Sequence, residues 1–146
     1  MTEIRECNES DLPSCSTILR EVYSESPYNE CWPVARAREY LEAFFRIDPK
    51  GAFIATDNGG VLGALFGYTY PWHTGSVFFI QELFVSKNRR GDGIGHGLVT
   101  HALEMKGRDS TVAAIVREGT DAVKFYEKLG LPKSEIYALR SGKVCI

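Results

Sequence analysis

The chain has 146 residues, of which 44% are hydrophobic, 12% aromatic and 25% charged, a make-up that fits one globular domain over 1–146 rather than a disordered or membrane chain. A formal net charge of -2, with lysine and arginine scattered along the sequence, leaves no footprint for a nucleic-acid backbone. The cysteines Cys7, Cys15, Cys31 and Cys145 lack C-x-x-C spacing, the opening "MTEIRECNESD" lacks an apolar signal core, and no apolar run reaches membrane-spanning length. These features argue against a metal site, secretion and membrane insertion, and predict a reduced, cytoplasmic protein.

In chain order, Ile4 to Cys7 predicts a short edge strand. Asp11 reads as a helix cap and Pro13 fits the first turn, with Leu12, Cys15, Leu19, Val22 and Tyr23 at helical spacing. That helix ends near Ser26-Pro27. Pro33 opens a second helix whose Val34, Ala37, Leu41, Phe44 and Phe45 form one apolar stripe. From Gly51 the period becomes that of strands: "GAFIAT", a tight turn at Asn58-Gly59, "VLGALFGYTY", the connection "YPWHTG", and "SVFFIQELFV", which is apolar on both faces and so belongs at the centre of a sheet. A helix follows with Ile94, Leu98, Ala102 and Met105 on one face. "TVAAIV" predicts another strand. Ala122, Phe125, Tyr126 and Leu129 predict a last helix, stopped by Gly130 and Pro132. A short strand at Ile136 to Leu139 closes the chain. The expected fold is α/β, a mixed, mostly antiparallel central sheet with helices on both faces.

Between the central strand and the next helix lies "VSKNRRGDGIGHGLV", with glycine at 91, 93, 95 and 97. A strand that runs through such a turn into a helix N-terminus presents main-chain amides and a positive dipole end to one small volume, which makes an anion site. Arg90 adds charge beside it. The dinucleotide fingerprint G-x-G-x-x-G fails, because its last position is Leu98 or His96. The triphosphate loop fails for want of its lysine and hydroxyl pair.

Arg90-Gly91-Asp92-Gly93-Ile94-Gly95 resembles the R/Q-x-x-G-x-G/A signature of the GNAT superfamily of acyl-CoA-dependent N-acetyltransferases. "ELFVSKNRRGDGIGHGLV" is similar to that family's strand, loop and helix unit, and "AVKFYEKLGL" to its later helix, in the expected order. The resemblance covers the predicted elements from Ile4 to Leu139. It implies that Arg90, Gly91, Asp92, Gly93, Ile94, Gly95 and His96 hold the pyrophosphate of acetyl-CoA. It further implies that main-chain amides of Phe84 and Val85, next to Leu83, meet the pantetheine and the thioester carbonyl, and that Ala122, Phe125 and Tyr126 line the same arm. Tyr126 would protonate the departing thiolate, although its spacing alone reads as a core tyrosine. The chain departs from the family where Gly119 replaces a frequent asparagine and where the segment after Gly130 is short, which leaves room for completion by a second copy in a homodimer.

The sequence itself singles out Glu82. A carboxylate in an apolar central strand is costly unless it faces a cavity or a partner, and partial burial makes it a better proton acceptor. Glu82 is therefore the candidate base, acting through water, with an ion pair to Arg38 or Arg117 as the structural alternative. The acceptor pocket is expected from the loop between the first two helices and the connection before the central strand, which supply Tyr28, Glu30, Trp32, Tyr70 and Trp72. Rings together with carboxylates suit a cationic amine. The expected activity is transfer of an acetyl group to a primary amine of a small-molecule acceptor by direct attack in a ternary complex. A non-catalytic acyl-CoA sensor and a protein amine acetyltransferase stay open.

Overall fold

A computed structural model describes residues 1–145. The chain forms two compact units, Met1–Ala113 and a second beginning at Ala114. The first unit carries β1 (Thr2–Glu6), α1 (Leu12–Ser24), α2 (Val34–Ile47), β2 (Ala52–Asp57), β3 (Gly60–Trp72), β4 (Gly75–Val85) and α3 (Ile94–Lys106). β5 (Thr111–Ala114) lies at the division, and α4 (Asp121–Lys128) belongs to the second unit.

The strands are ordered β1-β2-β3-β4-β5, and β1 through β4 pair antiparallel in sequence. β4 and β5 are separated in the chain by α3, the kind of crossover that parallel neighbours require. Strand alternation sends Ala52, Ile54, Ala64, Phe66 and Phe84 to one face, where they form a buried core with Cys15, Ile18 and Leu19 of α1 and with Ala37 and Leu41 of α2. The intervening Phe53 points the other way and meets His101 of α3 edge-on at 5.3 Å. Helices therefore cover both faces.

The hairpin at Asn58-Gly59 forms as its residues predict, with φ of 51° and 83° at the two positions. Other boundaries move. β1 starts at Thr2, because its ladder runs from Thr2 opposite Asp57 to Glu6 opposite Phe53. Asp11 does not cap α1 with its side chain; its carboxylate takes two hydrogen bonds from Arg5, at 2.8 and 3.0 Å, and one from the Asn8 amide. Most of "YPWHTG" is strand, since Trp72 pairs with Gly75 and the turn shrinks to His73-Thr74. The strand expected at Ile136 to Leu139 is absent among the described residues. Ile136 is 84% exposed there and Leu139 67%, so this short apolar run has neither a ladder nor a core. Among the described residues no helix is long and apolar enough to cross a membrane, and no three His, Cys, Asp or Glu side chains gather as metal ligands.

Candidate active site

β4 reaches the site with an irregularity. Phe66 faces Glu82 across the β3–β4 ladder and Gly67 faces Ile80, so Gln81 has no partner and β4 carries a bulge. Gly67 opposite the bulge admits no larger residue, because a Cβ there would lie 2.5 Å from the Phe78 ring and 2.8 Å from the Phe79 carbonyl. The extra residue resets the alternation. Phe79 stacks on Tyr68, and Tyr68 on Phe44, so Phe79 lies on the α2 side and Ile80 on the other. Gln81 then returns to the α2 side, and Glu82 joins it instead of alternating away.

Both Glu82 oxygens are occupied. Oε1 accepts the Tyr23 hydroxyl from α1 at 2.7 Å, and Oε2 accepts the Tyr40 hydroxyl from α2 at 2.6 Å. The Gln81 side-chain amide donates to the Tyr40 hydroxyl at 3.0 Å. Both partners of the Glu82 oxygens are tyrosines, which supply protons without charge. Burial pushes the Glu82 carboxyl above its ordinary value; the Tyr40 and Tyr23 hydrogen bonds oppose that shift, and the charge of Glu30 adds to it. Burial, reinforced by the Glu82 charge, also pushes both phenols up, so they remain donors.

Tyr23 and Tyr40 were not legible as site residues. Tyr23 falls on the apolar stripe of its helix, and a tyrosine at helical spacing reads as core. The available signal was chemical: the acid in the central strand needs donors, and these hydroxyls lie on the two helices that cover its face.

The expected acceptor residues gather around this cluster. Tyr28 meets Tyr23 edge-on at 4.8 Å. Trp32 packs on Tyr40 at 5.1 Å, and its indole N–H donates to Glu30 Oε1 at 2.7 Å. From Tyr40 the rings continue through Phe44 and Tyr68 to Tyr70 and Trp72, with centroids 5.3 to 6.4 Å apart. The loop after α1 and the far end of β3 thus belong to one aromatic row, whose outer member Trp72 is 50% exposed.

The glycine-rich loop leaves the end of β4. Phe84 buries its ring against Phe66 and lies opposite Ala64 in the hydrogen-bonded register, two residues before Ser86, whose amide bonds the Leu62 carbonyl; the intervening Val85 amide is directed away from β3, and Leu83 and Val85 are part-buried. Gly91 and Gly93 adopt φ of 88° and 79°, and a Cβ on either would meet nothing within 4 Å. They therefore leave an open cradle in a backbone conformation that favours glycine. Gly93 precedes α3, whose first-turn amides, at Ile94, Gly95 and His96, have no acceptor within the helix. A diphosphate fits this arrangement. Gly97 has another purpose, since a Cβ there would lie 3.0 Å from the Ile4 side chain as α3 crosses β1. Arg89 is committed to Asp57 and Asp92, both at 3.0 Å, which occupies the Asp92 carboxylate. Arg90 is the freer cation: it reaches the Val85 carbonyl at 3.4 Å and Glu25 at 3.9 Å, and remains half exposed.

The second unit holds the remaining candidates. Gly119 turns the chain with φ of 78° ahead of Thr120, which precedes α4, and no atom lies within 4 Å of its Cβ position. Ala122, Phe125 and Tyr126 lie on α4. Tyr126 is buried and meets the Phe125 ring edge-on at 5.3 Å. Gly130 stops the helix as predicted: its amide bonds the Glu127 carbonyl and the Leu131 amide bonds the Tyr126 carbonyl, the paired closure of a left-handed cap.

A model of the acetyltransferase (GNAT) family matches residues 17–131. An uncharacterised N-acetyltransferase of Methanocaldococcus jannaschii is 30% identical over 107 residues, which cover 68% of this chain and 47% of that protein. The chain thus spans about half the length of that curated relative. Among solved structures, a possible acetyltransferase from Clostridium difficile 630 superposes with a TM-score of 0.80 at 19% identity, covering 100% of this chain and 99% of that one. An aminoglycoside acetyltransferase from an uncultured soil metagenomic sample, solved with sisomicin, superposes with a TM-score of 0.70 at 18% identity, covering 99% and 97%.

Proposed function

The chain belongs to the acetyltransferase (GNAT) family, and on that premise we propose that it moves an acetyl group from acetyl-CoA to a primary amine of a small cationic acceptor. We take 1–146 as one N-acetyltransferase domain, because the family match 17–131 runs through both units. The observation that carries the reading is Glu82, a carboxylate in an apolar strand whose hydrogen-bond donors are neutral phenols. Two phenols hydrogen-bond the carboxylate without a formal charge and leave it able to take a proton.

Acetyl-CoA, when bound, would supply the acetyl group as an activated thioester. The amides of Gly91, Gly93, Ile94, Gly95 and His96 hold its pyrophosphate, with Arg90 adding charge, and Asp92 keeps the turn in place through Arg89. The main-chain amide of Val85, three residues beyond the acid and directed away from β3, would orient the carbonyl, while the Phe84 amide expected beside it faces Ala64 in the ladder. Glu82 takes the proton of the acceptor amine through water. By the resemblance of "AVKFYEKLGL", Tyr126 would return a proton to the departing thiolate and Ala122 and Phe125 would lie along the pantetheine arm, with Gly119 at the position of the family's frequent asparagine. Glu30 attracts the cationic acceptor, and the faces of Tyr28, Trp32, Tyr70 and Trp72 receive it.

The test is thiol release from acetyl-CoA across a panel of small amines. Glu82→Gln is expected to lower kcat about 100-fold or more, in keeping with general-base catalysis, and Tyr126→Phe to lower it less. If both variants bind coenzyme A and release thiol at the wild-type rate, these assignments are wrong. Gly119, in place of the family's frequent asparagine, favours a second reading, an acyl-CoA sensor without turnover. Thermal stabilisation by coenzyme A with no thiol release from any amine would select it.

A further inference from the structure

The proposed base leaves Gln81 without a purpose. Its bulge position is costly to build, since it requires glycine at 67 and forfeits a ladder pairing, yet its result is specific: the amide reaches the Tyr40 hydroxyl at 3.0 Å. The Tyr40 hydroxyl has one proton to give and lone pairs to receive. Ionised Glu82 can only accept, so the 2.6 Å contact consumes that proton. The partner on the other side of the same oxygen must then be a donor. Glutamine satisfies this by turning its NH2 toward Tyr40; the opposite amide orientation would set two acceptors against a single proton.

Resting on the reading of Glu82 as base, we propose that Gln81 is a positioning residue that acts through Tyr40, aiming the phenolic proton at Glu82 Oε2 and keeping that carboxylate in its proton-accepting form. The chain from Gln81 Nε2 through Tyr40 Oη to Glu82 Oε2 runs in one direction, so each bond polarises the next. Among the described residues of the first unit, the groups that face Glu82 are Tyr23 from α1, Tyr40 from α2, Glu30 from the segment between these helices, and Gln81 itself; Tyr28 stands behind Tyr23. The Gln81 side chain donates to Tyr40, and the Glu82 oxygens accept from Tyr23 and Tyr40, so the hydrogen-bonded route from the Gln81 amide to the neighbouring carboxylate runs through the Tyr40 phenol.

The experiment titrates the Glu82 carboxyl directly, by carbon NMR of glutamate-labelled enzyme, alongside the pH profile of thiol release with acetyl-CoA and an accepted amine. Gln81→Met keeps length without a donor, and Gln81→Glu replaces the donor by an acceptor that competes for the Tyr40 proton. Both are expected to raise the Glu82 midpoint, Gln81→Met by about half a pH unit, less than the roughly one-to-two-unit scale of a full charged hydrogen bond, and Gln81→Glu by more. In a Tyr40→Phe background the Gln81→Met shift should vanish, because the intermediary is gone. A midpoint unmoved by Gln81→Met, or a shift that persists without the Tyr40 hydroxyl, overturns the proposal. If the carboxyl moves as described while the activity profile stays fixed, the role of Gln81 stands and the assignment of Glu82 as base falls.

Discussion

Tyr23 approaches Glu82 from a helix 59 residues earlier in the chain and delivers a proton at 2.7 Å without a positive charge. Removing that hydroxyl deletes a hydrogen bond to the ionised form alone. A hydrogen bond to a charged group contributes about 1.5–3 kcal/mol, so Tyr23→Phe is expected to raise the Glu82 midpoint by about one to two pH units. The sign follows from the opposing effects: burial already raises this carboxyl and the phenols restrain it, so losing one phenol lets burial prevail further. The acid limb of the activity profile should move to higher pH, with activity recovered at alkaline pH. A limb that moves down or stays in place contradicts this arrangement. At this scale Glu82 was legible, because a charge inside "VFFIQELFV" is an anomaly in composition. Its donors were not, since their approach depends on how α1 and α2 lie across the sheet, and helical spacing records only which side of each helix is apolar.

The strand, loop and helix unit gives the second test, because its alternating glycines are alternating in sequence only. Gly93 sits at φ of 79° with open space where a Cβ would be, and Gly97 sits inside α3 with the Ile4 side chain 3.0 Å from its Cβ position. Gly93→Ala should cost about 1–2 kcal/mol from left-handed backbone strain, and should also shrink the rise in Tm expected with coenzyme A. Gly97→Ala gains helix propensity of about 1 kcal/mol and loses some of it to the Ile4 methyl, a flexible end that can give way, so its stability should stay within about 1 kcal/mol of wild type. Melting curves with and without coenzyme A separate the two. Equal effects at both positions would mean that the glycines share one purpose after all. The sequence revealed this unit because the strand period, the turn residues and the helix period follow one another without a gap. It did not reveal the bulge in β4, because one unpaired residue leaves the apolar count of "SVFFIQELFV" unchanged and the constraint sits opposite, at Gly67. The strand expected at Ile136 to Leu139 fails for the converse reason: a short apolar run has β propensity but no ladder partner to realise it.

For the chain as a whole, length and composition indicated a folded α/β protein, whereas the division near Ala113 has no linker composition to announce it. Its ionisable groups bias stability in two opposite directions. The Asp11 carboxyl is held below its ordinary value by the Arg5 hydrogen bonds, and that of Asp57 by the N-terminal ammonium and then Arg89. For these groups the folded state binds fewer protons than the unfolded one, so their contribution is present above the ordinary carboxylate range and is lost as pH falls through the depressed values. Glu82 behaves the other way. Its folded value lies above the unfolded one, so between the two the native state binds the extra proton, and stability falls as pH rises through that window. The amide introduced by Glu82→Gln takes up no such proton. The Tm of Glu82→Gln minus that of wild type should therefore be smallest in acid, where both side chains are neutral, and should grow as pH rises past the ordinary carboxylate range toward neutrality, levelling once Glu82 is ionised in both states. Asp11→Asn supplies the opposite control, its deficit against wild type deepening over the lower range where Asp11 ionises. Melting both variants and the wild type across this pH series checks the two slopes together, and a Glu82→Gln difference that declines with pH would show that the phenols outweigh burial and that Glu82 is an anion throughout.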